Sequence, residues 1–261
     1  MSANIRDRHW NVLLDSIESC NCIPVIGPDL CMMRDDGARH NLAIALSQEL
    51  AEILLEDKQV QAKDPNHLRL VSQMFQNELS RDELSVEVKG FYERHARRLA
   101  ECKDPTFENL AALPFELFVT SRHDKMLEHH LEEQGKQPKV KHYHFKGDRT
   151  ATLRALGTVE EPVVYHLHGS FEDPSSLVIT ENDLLDFLRA VVASDPGLPI
   201  DLQNLFHGKN VLFLGFGLGD YHLRILLHAL NLSKRNMSFV LENTPVAEYQ
   251  KVFDQRFRGI H

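Results

Sequence analysis

The chain has 261 residues, 43% hydrophobic and 26% charged, with a formal net charge of −9. These values describe one large or two small globular domains, with enough chain to bury a core without disulfide staples. They argue against a nucleic-acid-binding surface, which needs clustered Lys and Arg, and no run approaches the ~20 apolar residues that cross a bilayer.

Met1 to Trp10 is polar and lacks the apolar core of a signal peptide. Cysteines stand at 20, 22, 31 and 102, and Cys20-x-Cys22 is not the paired C-x-x-C of a zinc knuckle. They read as reduced thiols acting as small hydrophobes, which suits a cytoplasmic protein. Lys136, Lys139 and Lys141 form a small basic cluster that reads as a solvated loop.

Apolar residues from Ile5 to Ile17 predict a helix over Asn4 to Ser19. Cys22 to Gly27 is a buried strand, broken by Gly27-Pro28. Asn41 to Leu55 predicts an amphipathic helix, and helical patterns resume over His67 to Leu79 and Asp82 to Leu99. Strands are expected over Glu116 to Thr120, Lys139 to Phe145, Pro162 to His168 and Leu177 to Thr180, with a helix from Asp124 to Gln134. Glu181 to Ala193 is a helix, with Asn182 or Thr180 as its cap. A buried strand over Asn210 to Gly215 leads to Asp220, which can cap a helix over Tyr221 to Asn231. A last strand, Ser238 to Leu241, precedes a last helix, Pro245 to Phe253. Phe257 to His261 reads as the start of another strand, so the chain is expected to be the N-terminal part of a longer protein. Alternating strands and helices with continuously apolar strands predict a mostly parallel sheet covered on both faces.

The candidate chemistry sits at strand ends. Gly27 lets the backbone approach a phosphate or ribose, although Asp29 would repel phosphate and a plain turn explains the glycine as well. Gly215, Gly217 and Gly219 alternate after a buried strand, at a cost in backbone entropy that a ligand-facing turn would justify. His166 and His168 lie two apart in a predicted strand and so would share a face, as would His142 and His144; no third metal ligand is placed by spacing. His168, before Gly169, suits proton transfer or orientation of a ribose hydroxyl. Arg122 is a natural anion clamp, Asp124 a helix cap or ligand contact, and Glu128, His129 and His130 read as a solvated helix face.

Four blocks together resemble the sirtuin-like superfamily, and its bacterial defence branch more than its protein deacetylases. They are Ile26-Gly27-Pro28-Asp29-Leu30, Val119 to Glu128 against the pattern V-T-T-N-x-D-x-L-L-E, Leu167-His168-Gly169, and Leu214 to Asp220 against G-x-S-x-x-D. The resemblance implies a single α/β domain. A Rossmann-like core would cover about 20–56 and 103–261, with a helical insertion over about 57–102 and NAD, or an ADP-ribose-type ligand, bound between them. It implies His168, Arg122 and Asp124 as candidates for catalysis. It implies Gly27, Asp29, Thr120, Ser121, Gly169, Gly215, Gly217, Asp220 and Glu242 as cofactor contacts.

The deacetylases carry a zinc ribbon with paired C-x-x-C motifs, which this chain lacks, so neither zinc nor deacetylation is expected. The defence branch hydrolyses NAD during phage infection, often assembled into oligomers and joined to or paired with a sensor or effector domain. Arg122 stands at the usual asparagine position. It cannot accept a hydrogen bond, and loss of an oriented polar group typically costs ~10²–10³ in rate. The expectation is a degenerate site acting as a sensor or scaffold. An active NAD hydrolase and a domain binding another nucleotide through Arg122 are the alternatives.

Overall fold

The computed structural model describes residues 7–30, 33–35, 38–101, 105–147, 157–216, 227 and 238–241. Helix α1 (Asp7–Glu18) leads into β1 (Cys22–Ile26), every residue of which is buried. A short hairpin, β2 (Met33–Asp35) and β3 (Ala38–His40), follows. Next come α2 (Leu42–Lys58), α3 (Leu68–Glu78), α4 (Arg81–Glu101) and α5 (Pro105–Ala112). The chain then runs through β4 (Leu117–Thr120), α6 (Met126–Glu133), β5 (Lys139–His142) and β6 (Val163–His166). It continues through α7 (Glu181–Ala193), α8 (Ile200–Gly208), β7 (Asn210–Leu214) and β8 (Ser238–Leu241).

The main sheet has six parallel strands in the order β5-β6-β4-β1-β7-β8. The expected parallel, two-sided α/β architecture is present. Alternation along each strand divides the core. Ile26, Phe118, Val164 and Leu212 face one way, onto helices α1 to α6. Ile23, Val25, Val119, Tyr165 and Phe213 face the other way, onto Phe187 of α7 and Phe206 of α8. Leu46, Leu50 and Leu54 of α2, Phe75 of α3 and Phe91 of α4 share the first core with the sheet itself.

Several expectations need correction. Leu177 to Thr180 is buried but is not a strand. Val178 donates its amide to the His168 carbonyl, and the Ile179 and Thr180 amides go to the Asp183 carboxylate, so no ladder forms. The strand predicted over Lys139 to Phe145 stops at His142, and the helix predicted from Asp124 begins at Met126. Lys139 and Lys141 lie on the edge strand β5, not in a loop. The hairpin, α5 and α8 were not predicted. The helices expected over Tyr221 to Asn231 and Pro245 to Phe253 and the strand start at Phe257 lie outside the described residues. Among the described residues, no helix is long and apolar enough to cross a membrane.

Candidate functional site

Register aligns the ends of the strands. His142 pairs with His166, His166 with Thr120, Thr120 with Ile26, and Ile26 with Leu214. The turns carrying the four sequence blocks therefore leave the sheet side by side at its carboxyl edge. From β1 the chain runs to β4 on one side and returns to β7 on the other. That reversal of strand order is where open parallel sheets bind ligands.

The glycines at this switch point serve backbone packing. A Cβ on Gly27 would lie 2.1 Å from the Gly215 carbonyl oxygen, and Gly215 itself has φ +71. The Gly27 and Asp29 amides donate to the carbonyls of Leu214 and Gly215, at 2.7 and 3.1 Å. Those two amides are committed to the β7 turn and do not form a phosphate cradle.

The turn after β4 is tied down on both sides. Ser121 donates its amide to the Ile26 carbonyl (2.9 Å), and the Thr120 hydroxyl accepts from the Arg122 amide (3.1 Å). Arg122 is buried. Its Nη2 lies 2.6 Å from Asp124 Oδ2, its Nη1 donates to the Pro28 carbonyl at 3.3 Å, and its guanidinium lies over the Phe107 ring. Asp124 Oδ1 accepts from the Met126 amide at 3.0 Å, so Asp124, just ahead of the Lys125 N-cap, satisfies the first amide of α6 while pairing with Arg122.

His166 is completely buried. Its Nδ1 is 3.0 Å from the Arg122 carbonyl and its Nε2 is 2.6 Å from Glu128 Oε1. Burial alone would lower its pKa, yet Glu128 and the Arg122 carbonyl hold it above the ordinary histidine value. Glu128 and His130 are therefore buried, not on a solvated helix face as their polarity suggested. The alternation expected to put His166 and His168 on one face also fails, because β6 ends at His166. His166 turns onto α6, whereas the His168 ring meets Phe187 of α7 edge-on at 4.9 Å. His142 contacts Ser170 (3.0 Å), and His144 contacts Asp173 (2.7 Å). Burial pushes His123 down to about 4.

Over this edge lies a cavity of 310 Å³. Of the expected site residues, Asp29, Ser121, Arg122, Asp124 and His168 line it. Gly27, Thr120, Gly169 and Gly215 do not line it, and Gly217, Asp220 and Glu242 fall outside the described residues. The opposite wall comes from starts of helices that sequence reasoning had not assigned to the site: Asn41 to Ile44 at α2 and Asn66 to Arg69 at α3. Asn41 caps α2 through the Ala43 amide and donates from Nδ2 to Asp29 Oδ1 at 3.4 Å. Tyr92 of α4 and His123 also line the cavity; His123 lies within the Thr120 to Asp124 block, whereas nothing in the sequence singled out Tyr92. Among the described residues, no group of three or more His, Cys, Asp or Glu is placed to hold a metal ion.

A parallel α/β sheet with its polar residues gathered at one switch-point cavity defines the general class. The SIR2-like domain model matches residues 116–257, from β4 through β8 and beyond, and the chain belongs to that family. The chain is also similar to proteins named NAD(+) hydrolase ThsA. It is 31% identical to that of Bacillus cereus (strain MSX-D12) over 121 residues, which is 45% of this chain and 23% of the relative. It is 30% identical to that of Enterococcus faecium over 121 residues, with the same coverage of 45% and 23%. With the protein of Cytobacillus dafuensis the identity is 27% over 123 residues, 47% of this chain and 23% of that protein. The match thus spans less than a quarter of these relatives' length.

Proposed function

We propose that this chain is the NAD-type nucleotide-binding domain of a bacterial antiviral defence protein, with little or no NAD hydrolysis of its own, acting as a sensor or assembly scaffold. The observation that carries this reading is the buried Arg122–Asp124 pair. It stands where the family resemblance calls for an asparagine, and it closes onto the Pro28 carbonyl. A guanidinium there cannot accept a hydrogen bond from ribose or water. The cavity volume is at the small end of ligand sites and suits a nucleoside-sized moiety. Asp29, Ser121 and His168 offer acceptors and donors for ribose hydroxyls. Fusion to a further domain and self-association belong to the same proposal.

Active NAD hydrolysis is the second reading. It is favoured by the names of the relatives and by His168 lying on the cavity wall. A domain that clamps another nucleotide's phosphate with Arg122 fits less well, because Asp124 already neutralises that charge.

The test is incubation of purified protein with NAD, following nicotinamide release, beside calorimetric titration with NAD and ADP-ribose. Binding without release is the expected result. Release that disappears in His168→Ala overturns the degenerate-site reading in favour of the hydrolase.

A further inference from the structure

We propose that His166 and Glu128 are positioning residues for the nucleotide cavity, fixing the Arg122–Asp124 turn through the Arg122 carbonyl; the proposal rests on the reading of that cavity as a nucleotide site. The geometry is specific. A backbone carbonyl and an ionised carboxylate both accept only, so with Glu128 charged His166 satisfies them together by carrying protons on both ring nitrogens. The pair is sealed, with side-chain exposures of 0% and 3%.

A buried ion pair is a poor source of net stability compared with apolar residues of the same volume. What it provides is direction. It joins α6 to the end of β6 and holds the one carbonyl from which Arg122, His123 and Asp124 run along the cavity wall. His168 leaves the same strand two residues later. Other groups face His166 from the neighbouring elements. Asp124 favours the protonated ring, and the His142 and His123 imidazoles oppose it. None of the four sequence blocks assigns a role to this pair.

Two double variants test it. His166→Leu with Glu128→Leu removes both hydrogen bonds without leaving a buried charge. His166→Asn with Glu128→Gln keeps a side-chain N–H where Nδ1 had been. Affinities for NAD and ADP-ribose are measured by calorimetry, with melting temperature recorded alongside. The apolar pair should fold and bind about tenfold more weakly, the size of one charge-assisted hydrogen bond. The Asn/Gln pair should recover to within about threefold of wild type, whichever variant melts higher. Undiminished binding by the apolar pair, or no recovery in the Asn/Gln pair, overturns the proposal. Should both variants fail to fold, the His166 ring N–H protons of the wild type are followed by NMR; they should shift when ADP-ribose is added, and unmoved resonances overturn the role. Absence of wild-type binding to either ligand instead removes the nucleotide reading, and this proposal with it.

Discussion

At the scale of single residues, the site is governed by which polar groups are already committed. Arg122 and Asp124 satisfy each other out of water, so neither can be removed alone without leaving a buried charge. Arg122→Ala should cost about 3–5 kcal/mol of folding stability in denaturant titration. Arg122→Ala with Asp124→Ala should cost less than the sum of the single changes. His123 makes a second prediction. Its pKa falls from 6.5 to about 4, chiefly through burial, with His166 and Arg122 acting in the same direction and Asp124 against them. Between pH 6.5 and about 4, the unfolded chain binds a proton there that the folded chain excludes. Stability therefore drops as pH falls through that window. His123→Phe should flatten the drop, and a difference curve that is level across the window counts against this account. The block Thr120-Ser121-Arg122-His123-Asp124 was legible as a site because it follows an apolar strand. The burial of Glu128 was not legible. Three polar residues in a row on a helix look solvated, and only the strand that brings His166 across reveals otherwise.

At the scale of elements, the segment leading into α7 shows how a stretch can be patterned like a strand yet built as something else. Leu177 and Ile179 enter one core and Val178 the other, which is the period-two signature of a buried strand. Their backbone groups are nevertheless taken by side chains and a loop. Arg81 of α4 donates to the Leu177 carbonyl at 3.0 Å, the Val178 amide goes to the His168 carbonyl, and Asp183 of α7 accepts the Ile179 and Thr180 amides. Thr180 and Asp183 form a reciprocal capping box, while Asp183 also pairs with Arg81 (2.6 Å) and Lys146 (3.0 Å). Burial alone would raise the Asp183 pKa, but Arg81, Lys146 and the Thr180 amide hold it below its ordinary value. Its stabilising contribution is therefore present at neutral pH and lost in acid, below the usual carboxylate range. Thr180→Ala should lower stability by about 1 kcal/mol. Asp183→Asn should lower it by about 1–3 kcal/mol, because three elements lose their shared acceptor. Equal losses from the two changes in thermal unfolding at neutral pH would mean that α4 is not held through Asp183. Strong helical stripes such as α2 and α3 were readable from sequence. Helices α5 and α8 are short, eight and nine residues, too short for their periodicity to stand out.

At the scale of the molecule, the helices between β1 and β4 decide what the cavity is. From the sequence, those over about 57–102 read as a small insertion beside the sheet, with the helix at Asn41 to Leu55 in the core. In the fold, α2 to α4 contribute Leu46, Leu50, Leu54, Phe75 and Phe91 to the same core as Ile26, Val164 and Leu212. The helix starts that close the cavity are therefore braced by the sheet on which the opposite wall is built. Helices packed this way are expected to melt together with the sheet. Leu46 is completely buried, and Leu46→Ala should remove about 2–5 kcal/mol, a fall in melting temperature of about 10 °C. The loss should appear in one transition. Far-UV circular dichroism reports on all helices, and Trp10, the single tryptophan, is exposed on α1, whose Leu13 and Ile17 lie in the same core. Coincident curves from both probes, in wild type and variant, are expected of one cooperative body. Were α2 to α4 a separate module, Leu46→Ala would split the dichroism curve and leave the Trp10 transition where it was. The cavity would then have one rigid wall and one that opens independently.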